Sequence, residues 1–221
     1  PDGHSLWPAF TNVPNEFLES YFPLHIVKYE SIPDSGGAGQ HRGGNGVCIA
    51  YEFLEPGEIS IHDDRWLTYP WGVNGGLPGG RSTKELVRKN GSRERLPSKC
   101  DRIKVEEGDI LFFNTWGGGG WGDPLKRPAE RVAQDVARGL VSIEGARRYS
   151  VVVRADFSVD VEATETLRRQ TAAGRKQPLP LFDRGGTIEE LKARCKAETG
   201  FEPPRTPQFA RWISAPERKA S

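Results

Sequence analysis

The chain has 221 residues, of which 36% are hydrophobic and 28% charged, and its 31 Lys and Arg nearly balance 30 Asp and Glu. This length can bury a core. The balanced charge and the lack of a zinc or helix-turn-helix pattern argue against a nucleic-acid partner. No apolar run approaches the roughly 20 residues that cross a bilayer, and the N-terminus lacks a basic, apolar leader. We therefore expect a cytoplasmic protein without a membrane partner.

The three cysteines, Cys48, Cys100 and Cys195, are odd in number and widely spaced. They form neither a CxxC pair nor a zinc-ligand pattern, so a reducing compartment and no metal site are expected. Cys48 lies among apolar residues of a predicted strand, where a small buried hydrophobe is the usual role.

Glycine divides the chain unevenly, since 19 of its 26 glycines lie between Gly36 and Gly122. We predict a Gly-rich, β-rich region at 1–122, a helical region at 123–200, and a Pro-rich arm at 201–221 with Phe209 and Trp212 as anchors. The fold class is then α+β, with short, mostly antiparallel strands followed by a helical C-terminal region.

In the first region, the apolar spacing over 14–22 predicts a short helix. Strands are expected at 25–30, 47–54, 58–62 and 110–114, because these runs are rich in β-branched and aromatic residues. The residues 84–89 and 92–96 flank Asn90-Gly91, a pair suited to the positive φ angles of a type I′ turn, and predict a hairpin.

Three helices are expected in the second region. The first covers 128–138, with Gly139 placed as its C-terminal cap. The second covers 161–173 after the capping residue Asp160, and the third follows the capping box of Thr187 and Glu190 and ends at Gly200.

Two glycine-rich motifs suggest phosphate binding. The run GGAGQHRGGNG (36–46) carries His41 and Arg42, which makes them candidate substrate-binding residues. It lacks the GK[ST] ending of a P-loop, so a tight turn between strands is the favoured interpretation. GGGGWG (117–122) matches GxGxxG, but no helix follows directly, and a close-packed backbone crossing is favoured over a dinucleotide site.

The most polar cluster follows a predicted strand. It consists of His62, Asp63, Asp64 and Arg65. Of these, His62, Asp64 and Arg65 are candidate catalytic residues, because an imidazole beside two carboxylates can move protons or bind a metal. With one histidine the catalytic signal is weak, and a solvated turn or an ion pair between Asp64 and Arg65 is the favoured interpretation.

The motifs taken in order resemble a known family. TNVPNEFLESYFPL, YESIPDSGGAGQHRGGNGV, DDRWLTYPWGVNGGLPGG and VEEGDILFFNTWGGGGWGDPLKRPAERVAQDVARGLVS together resemble the C-terminal portion of the hydantoinase B/oxoprolinase family, over about residues 1–153. The resemblance implies a subunit, or a C-terminal part, of a hetero-oligomeric ATP-dependent enzyme.

The resemblance also implies the partners. These are a hydantoinase A type ATPase subunit, which holds ATP and Mg and phosphorylates the substrate's oxygen, and the N-terminal portion of a hydantoinase B type subunit, which can hold a divalent metal. No cofactor is expected on this chain itself. Trp7 and Trp212 are expected subunit contacts.

Two chemistries fit the resemblance, namely hydrolysis of a hydantoin or 5-oxoproline-like ring and carboxylation of a ketone. The segment LWPAFTNVPNEFLESYFPL is most similar to the acetone and acetophenone type, which slightly favours carboxylation. A non-catalytic scaffold that holds the catalytic subunits together is the alternative, since no complete acid-base constellation is evident.

Overall fold

The computed structural model describes residues 13–175 and 177–203. Its largest sheet is antiparallel and five-stranded, in the order β1 (Leu24–Ser31), β2 (Val47–Phe53), β8 (Ile110–Asn114), β5 (Thr83–Val87) and β6 (Arg93–Leu96). Each of the predicted strands in this sheet is confirmed to within a few residues. Together with the helices that follow, the antiparallel strands confirm the α+β class.

A two-stranded ribbon supplies residues to the core of this sheet. The ribbon pairs β3 (Gly57–His62) with β7 (Lys99–Val105). The core that it shares with the sheet, called the sheet core below, has these buried members: Phe53, Ile61, Leu86, Leu96, Val105 and Leu111. The sequence did not predict β7, because the pairing register shifts between Ile59 and Ile61 and Arg102 has a φ of 56°. Such a bulge breaks the alternation by which a strand is recognised.

A second core is built mainly from backbone. Three segments, 35–46, 70–80 and 115–122, run against one another, and we call them the glycine bundle. Their amides pair between segments: Gly37 N donates to Gly118 O over 2.8 Å, and Leu77 N donates to Ala38 O over 2.7 Å. A Cβ on Gly119 would lie 1.7 Å from the Trp71 carbonyl oxygen. The segments therefore approach more closely than any side chain permits.

The bundle corrects one expectation and confirms another. The glycines of 36–46 were expected to serve a tight turn, but none of them has a positive φ. Gly37, Gly43 and Gly46 are required because carbonyl groups of neighbouring segments occupy their Cβ positions, whereas the carbonyl at the Cβ position of Gly36 is that of Gly43 in the same segment. The close-packed crossing expected at 117–122 is confirmed: Gly117 and Gly120 meet the carbonyls of Ser35 and Ala38 in the same way.

The helical region packs on the bundle through α2 (Ala129–Ala137) and a 3-10 turn at Gly145–Tyr149. The core formed there, called the bundle core below, has these buried members: Ala38, Val132, Ala133, Val136, Val141, Ala146, Tyr149, Val151 and Val153. Ala38 comes from the bundle itself, so the two regions share this core.

Three helices confirm the predicted capping. Gly139 has a φ of 70° just after α2, and the Asp160 side chain accepts from Ala163 N over 3.1 Å at the start of α3 (Val161–Gly174). Thr187 and Glu190 form both bonds of the capping box at α4 (Ile188–Thr199), and Gly200 has a φ of 79°.

The N-terminal helix and the hairpin are also present. The helix α1 (Asn15–Tyr21) lies against β1. The hairpin of β5 and β6 is confirmed, but its turn type is not. Only Gly91 has a positive φ, of 83°, whereas both positions of a type I′ turn require one. Gly91 N instead donates to Arg88 O, and Arg88 N bonds to Ser92 O, which makes a longer loop.

The chain returns to the glycine bundle after α3. β4 (Gly72–Val73) pairs with β9 (Phe182–Asp183), and α4 is held through Glu198, which accepts from the Tyr69 hydroxyl over 3.1 Å. Trp7, and the predicted arm from residue 204 onward, lie outside the described residues. Among the residues that are described, no helix is long and apolar enough to span a bilayer.

Candidate functional site

The predicted catalytic cluster lies where β3 ends. His62 is exposed, and its Nε2 is 3.2 Å from Asp101 Oδ1. Asp64 is also exposed and pairs with Lys99 over 3.3 Å, not with Arg65. Arg65 is exposed and has a φ of 59°. The three candidate residues are therefore neighbours on the surface. The partner of His62, Asp101, and the partner of Asp64, Lys99, both lie on β7.

The predicted substrate-binding residues lie elsewhere, on the glycine bundle. His41 is exposed and its ring stands 5.5 Å from that of Trp121. Arg42 is mostly buried: its Nε lies 3.6 Å from Asp135 Oδ2, and its Nη1 donates to Gly43 O over 3.0 Å. The two adjacent residues thus face different surroundings, with His41 beside an indole and Arg42 in a network of charged groups.

That network contains more arginines than carboxylates. Arg127 donates to Asp135 Oδ2 over 2.6 Å and to Gln40 O over 3.0 Å. Arg175 binds both oxygens of Asp123, over 2.6 and 2.7 Å. Arg168 donates to Arg127 O over 2.6 Å. We call the four arginines Arg42, Arg127, Arg168 and Arg175, with Asp123 and Asp135, the arginine cluster.

The cluster lowers the pKa of one of its acids, Asp123. The hydrogen bond from Arg175 lowers the pKa of Asp123 most, burial opposes that effect, and the backbone N–H of Leu125 adds to it. Asp123 thereby stays charged while it caps the 3-10 turn Pro124–Lys126. Burial raises the pKa of Tyr149, whose ring lies 5.8 Å from the Arg127 guanidinium.

Sequence reasoning missed a buried ion pair under β5. The Lys84 ammonium contacts the Asp63 carboxylate, and both side chains are almost fully buried. The Lys84 Nζ also lies 4.6 Å from the centre of the Phe113 ring. Burial lowers the pKa of Lys84 to about 7, and the charge interaction with Cys100 acts in the opposite sense. The signal in the sequence is the inward position that Lys84 shares with Leu86 on a strand of period two.

In the described part of the chain, the amides of the GxGxxG run serve the fold, and no cluster of metal-binding residues is found. The described residues include no group of three or more His, Cys, Asp and Glu that could hold a metal ion. The amides of the GxGxxG run are used within the bundle, since Gly118 N donates to Gly44 O and Gly120 N to Leu77 O. A phosphate-binding loop needs such amides free to point at its ligand.

The cysteines match a structural role in the described chain. Cys48 and Cys195 are buried, Cys100 is partly buried, and all three are free. Burial raises the pKa of Cys48 and of Cys100. A raised pKa leaves less thiolate and so makes a poor nucleophile.

Comparison with curated proteins finds relatives that are much longer than this chain. An uncharacterized protein of Methanocaldococcus jannaschii is 40% identical over 161 residues, which cover 71% of this chain and 28% of that protein. Caprolactamase subunit beta of Pseudomonas jessenii is 32% identical over 161 residues, which cover 69% of this chain and 27% of that subunit. The chain thus spans less than a third of the length of these relatives.

Two solved structures are similar to the chain. The crystal structure of the ATP-dependent caprolactamase from Pseudomonas jessenii matches with a TM-score of 0.59 and 31% identity, covering 70% of this chain and 28% of that one. A nucleotide-free acetone carboxylase matches with a TM-score of 0.61 over 84% of this chain and 29% of that one. At 21% identity, that second likeness shows the fold alone.

The family itself is identified by sequence. The family model described as Hydantoinase B/oxoprolinase matches residues 1–124, which contain the whole five-stranded sheet and the three segments of the glycine bundle. The resemblance seen in the motifs is thereby confirmed, and the chain belongs to the hydantoinase B/oxoprolinase family.

Proposed function

We propose that this chain works within a hetero-oligomeric, ATP-dependent enzyme that hydrolyses a cyclic amide. The observation that carries the proposal is the match to caprolactamase subunit beta, at 32% identity over 69% of this chain. Caprolactam is a cyclic amide, and the solved relative is described as ATP-dependent. Ketone carboxylation, which the N-terminal motif slightly favoured, is supported at lower identity, by the acetophenone carboxylase delta subunit of Aromatoleum aromaticum at 27% over 79% of this chain and by fold likeness at 21%. The amide reaction is therefore the better supported of the two.

The proposal also assigns ATP, Mg and any divalent metal to the other subunits of the complex. ATP and Mg belong to a hydantoinase A type partner in this proposal, because the glycine-rich amides of this chain are used inside the bundle. A divalent metal, where the reaction needs one, belongs to the remaining portion of a hydantoinase B type subunit. This chain contributes the rigid glycine bundle and the surface residues around it.

In this proposal, the exposed candidate residues are those through which the chain contacts the substrate. His62, Asp64 and Arg65 stand at the surface where β3 ends, and His41 stands beside Trp121. In an assembly, closure by a second subunit would exclude water from such groups and strengthen their electrostatic effect. Asp64 and Arg65 are the pair most capable of acid-base or charge-stabilising work.

The test begins with isolation of the chain from its native source and measurement of the complex by native mass spectrometry. We expect a complex that contains an ATPase-type subunit and that opens caprolactam, hydantoin or 5-oxoproline only when ATP is supplied. A free monomer without an ATPase-type partner would overturn the proposal. A complex that instead fixes bicarbonate onto acetone would replace hydrolysis with carboxylation.

Substitution then tests the residues. Asp64→Asn and Arg65→Gln, each within the complex, are expected to lower turnover at least tenfold while assembly stays intact. Glu107→Gln is a matched control, because Glu107 is similarly exposed and pairs with Lys89 over 3.7 Å. Unchanged turnover in Asp64→Asn and Arg65→Gln would remove their catalytic role.

The alternative function is a non-catalytic scaffold. It is favoured by the engagement of Arg42 and Arg127 with Asp135 and with backbone carbonyls of the bundle. Under this alternative, the complex does not assemble without the chain, as native mass spectrometry would show. Every surface substitution that leaves assembly intact also leaves turnover unchanged.

A further inference from the structure

A group of exposed aromatic rings lies on one side of the glycine bundle. Trp121 forms backbone bridges to His41 on one side and to Val73 on the other, and Val73 is paired with Phe182 of β9. Residues directly opposite each other in paired strands direct their side chains to the same face. The ring contacts agree, since Trp121 stands 5.5 Å from His41 and Trp71 stands 6.0 Å from Phe182. We call Trp71, Val73, Trp121 and Phe182 the aromatic face.

The rings of the aromatic face are open to solvent. Trp71, Trp121 and Phe182 are 42%, 47% and 51% exposed. The other two tryptophans of the described chain, Trp66 and Trp116, are partly buried, so both exposed ones belong to this face. Single exposed apolar residues are ordinary on a protein surface, whereas a contiguous group of them marks an interaction site.

The backbone beneath these rings is closely packed. A Cβ on Gly72 would lie 1.8 Å from the Gly76 carbonyl oxygen, and one on Gly120 would lie 2.1 Å from that of Ala38. These glycines adjoin ring-bearing residues of the face, so the backbone has no room to move inward and bury the rings. A surface that is already arranged for contact pays less for ordering when a partner covers it.

We propose that the aromatic face is the docking surface for the remaining portion of a hydantoinase B type subunit. This inference rests on the proposed function, in which that portion belongs to the complex. The match to caprolactamase subunit beta covers 27% of that subunit, so the greater part of it lies outside the match. A part of that size needs a contact surface on the part that this chain represents.

Two observations favour this occupant over the ATPase-type subunit. Trp71, Val73 and Trp121 lie within residues 1–124, which match the family model, so the face is built mainly in the region that defines hydantoinase B type proteins. Interfaces between parts that stay together permanently are also more hydrophobic than those of transient partners. Three half-exposed rings side by side fit the permanent kind.

The edges of the face indicate the chemistry of its occupant. The Arg184 guanidinium lies 4.7 Å from the centre of the Trp71 ring, and Arg184 is exposed. His41 borders the opposite edge, beside Trp121. Tryptophan and arginine are among the residues that contribute most to binding at interfaces. We therefore expect apolar side chains opposite the rings and a carboxylate opposite Arg184.

The first experiment marks the contact directly in the complete complex. The photoreactive residue p-benzoylphenylalanine replaces Phe182 in the full chain, the complex is isolated from the native source and irradiated, and mass spectrometry identifies the cross-linked peptides. The same residue in place of Ile143 is the control, because Ile143 is 43% exposed and lies between α2 and the 3-10 turn. We expect a cross-link to the hydantoinase B type portion from position 182 and none from position 143.

Substitutions then measure what the face contributes. Phe182→Ser and Arg184→Glu are each expected to lower the fraction of chain bound to that portion at least fivefold in native mass spectrometry at equal concentrations. Ile143→Ser, the matched control, should leave the bound fraction unchanged. Thermal unfolding of the chain alone should give Tm values close to that of wild type, because exposed side chains contribute little to stability. Arg184→Glu keeps the test valid if Phe182→Ser does not fold.

The proposal is overturned if position 182 cross-links to the ATPase-type subunit, to a second copy of the chain, to residues 204–221 or to nothing. Equal cross-linking from both positions, or an unchanged bound fraction in Phe182→Ser and Arg184→Glu, would overturn it as well. A cross-linked complex that opens no cyclic amide would refute the proposed reaction and retain this interface. An ATP-dependent amide hydrolase without the cross-link would retain the reaction and refute the interface.

Discussion

The two cores of this molecule are stabilised in different ways. The sheet core is filled by side chains such as Phe53, Leu86 and Leu111, which exclude water by their apolar surface. The glycine bundle is filled by backbone, whose carbonyl groups occupy the positions that side chains would take. A side-chain core can lose a methylene group and relax, whereas a backbone core has no part that can shrink.

Arginine side chains complete the second kind of core. Arg148 donates to the carbonyls of Asp34 and Gly36, and Arg127 donates to that of Gln40. Buried carbonyl groups need such donors, because an unpaired one costs about 1–3 kcal/mol. The helical region therefore supplies hydrogen bonds as well as apolar contacts to the bundle.

The largest expected effect distinguishes the two regions by the same substitution. Gly119→Ala would place a Cβ 1.7 Å from a carbonyl oxygen, so we expect a loss above about 4 kcal/mol in the free energy of unfolding, or no folding at all. Gly57→Ala, in a strand beside the sheet core, meets nothing closer than 3.9 Å and should change stability by less than about 1 kcal/mol. Urea unfolding followed by circular dichroism measures both. Equal effects would contradict the distinction.

The inward face of β5 carries a buried ion pair, between Lys84 and Asp63, in addition to apolar side chains. Lys84→Met leaves Asp63 buried without its cation, and we expect a loss of about 3–5 kcal/mol. The double variant Asp63→Asn with Lys84→Met carries no buried charge and should recover at least half of that loss. Recovery is measured by the same urea unfolding, and a double variant as unstable as the single one would show that the contact itself matters little.

The bond between Arg175, just after α3, and Asp123 predicts that the free energy of unfolding depends on pH. Asp123→Asn should cost about 2 kcal/mol at pH 7, because a charge-assisted bidentate bond to Arg175 is lost. The pKa of Asp123 is lowered in the folded state, so its stabilisation is present above the ordinary value near 3.8 and disappears as pH falls through the folded pKa. The difference between wild type and variant should therefore shrink as the pH falls below about 4 and through the lowered pKa of Asp123. A constant difference would refute this assignment.

A smaller loss than those of Gly119, Lys84 and Asp123 is expected at a glycine outside both cores. Gly91→Ala places a side chain in open space but at a φ of 83°, so only backbone strain of about 1 kcal/mol is expected. Thermal unfolding measures this change. A loss as large as that of Gly119→Ala would mean that φ, not close packing, governs the glycines of this protein.

Local signals in the sequence predicted the elements that depend on local physics. Asp160, Thr187 and Gly200 marked helix ends, because capping is decided by residues adjacent in the chain. The apolar runs marked most strands. The family resemblance rested on motifs rich in glycine, and the family match confirms it.

Features that depend on distant residues were not predictable in this way. Asp63 belongs to the polar cluster that the sequence marks with His62 and Asp64, but nothing local indicates that its partner is the buried Lys84. Asp135 meets Arg42 and Arg127 only because α2 packs on the bundle. The glycines of 36–46 indicated a turn when considered alone, since the close contacts of Gly37, Gly43 and Gly46 are made with residues 77–78 and 115–120, far along the chain.

The crowded backbone of the bundle also limits how its gene can change. Every codon for glycine begins with GG, and any single-base change at either of these two positions encodes a residue with a Cβ atom or a stop. At Gly117, Gly119 and Gly120, such a Cβ would lie within 2.1 Å of a carbonyl oxygen. Only third-base changes are silent at these codons, so their first two bases should be nearly fixed in any population that depends on this protein.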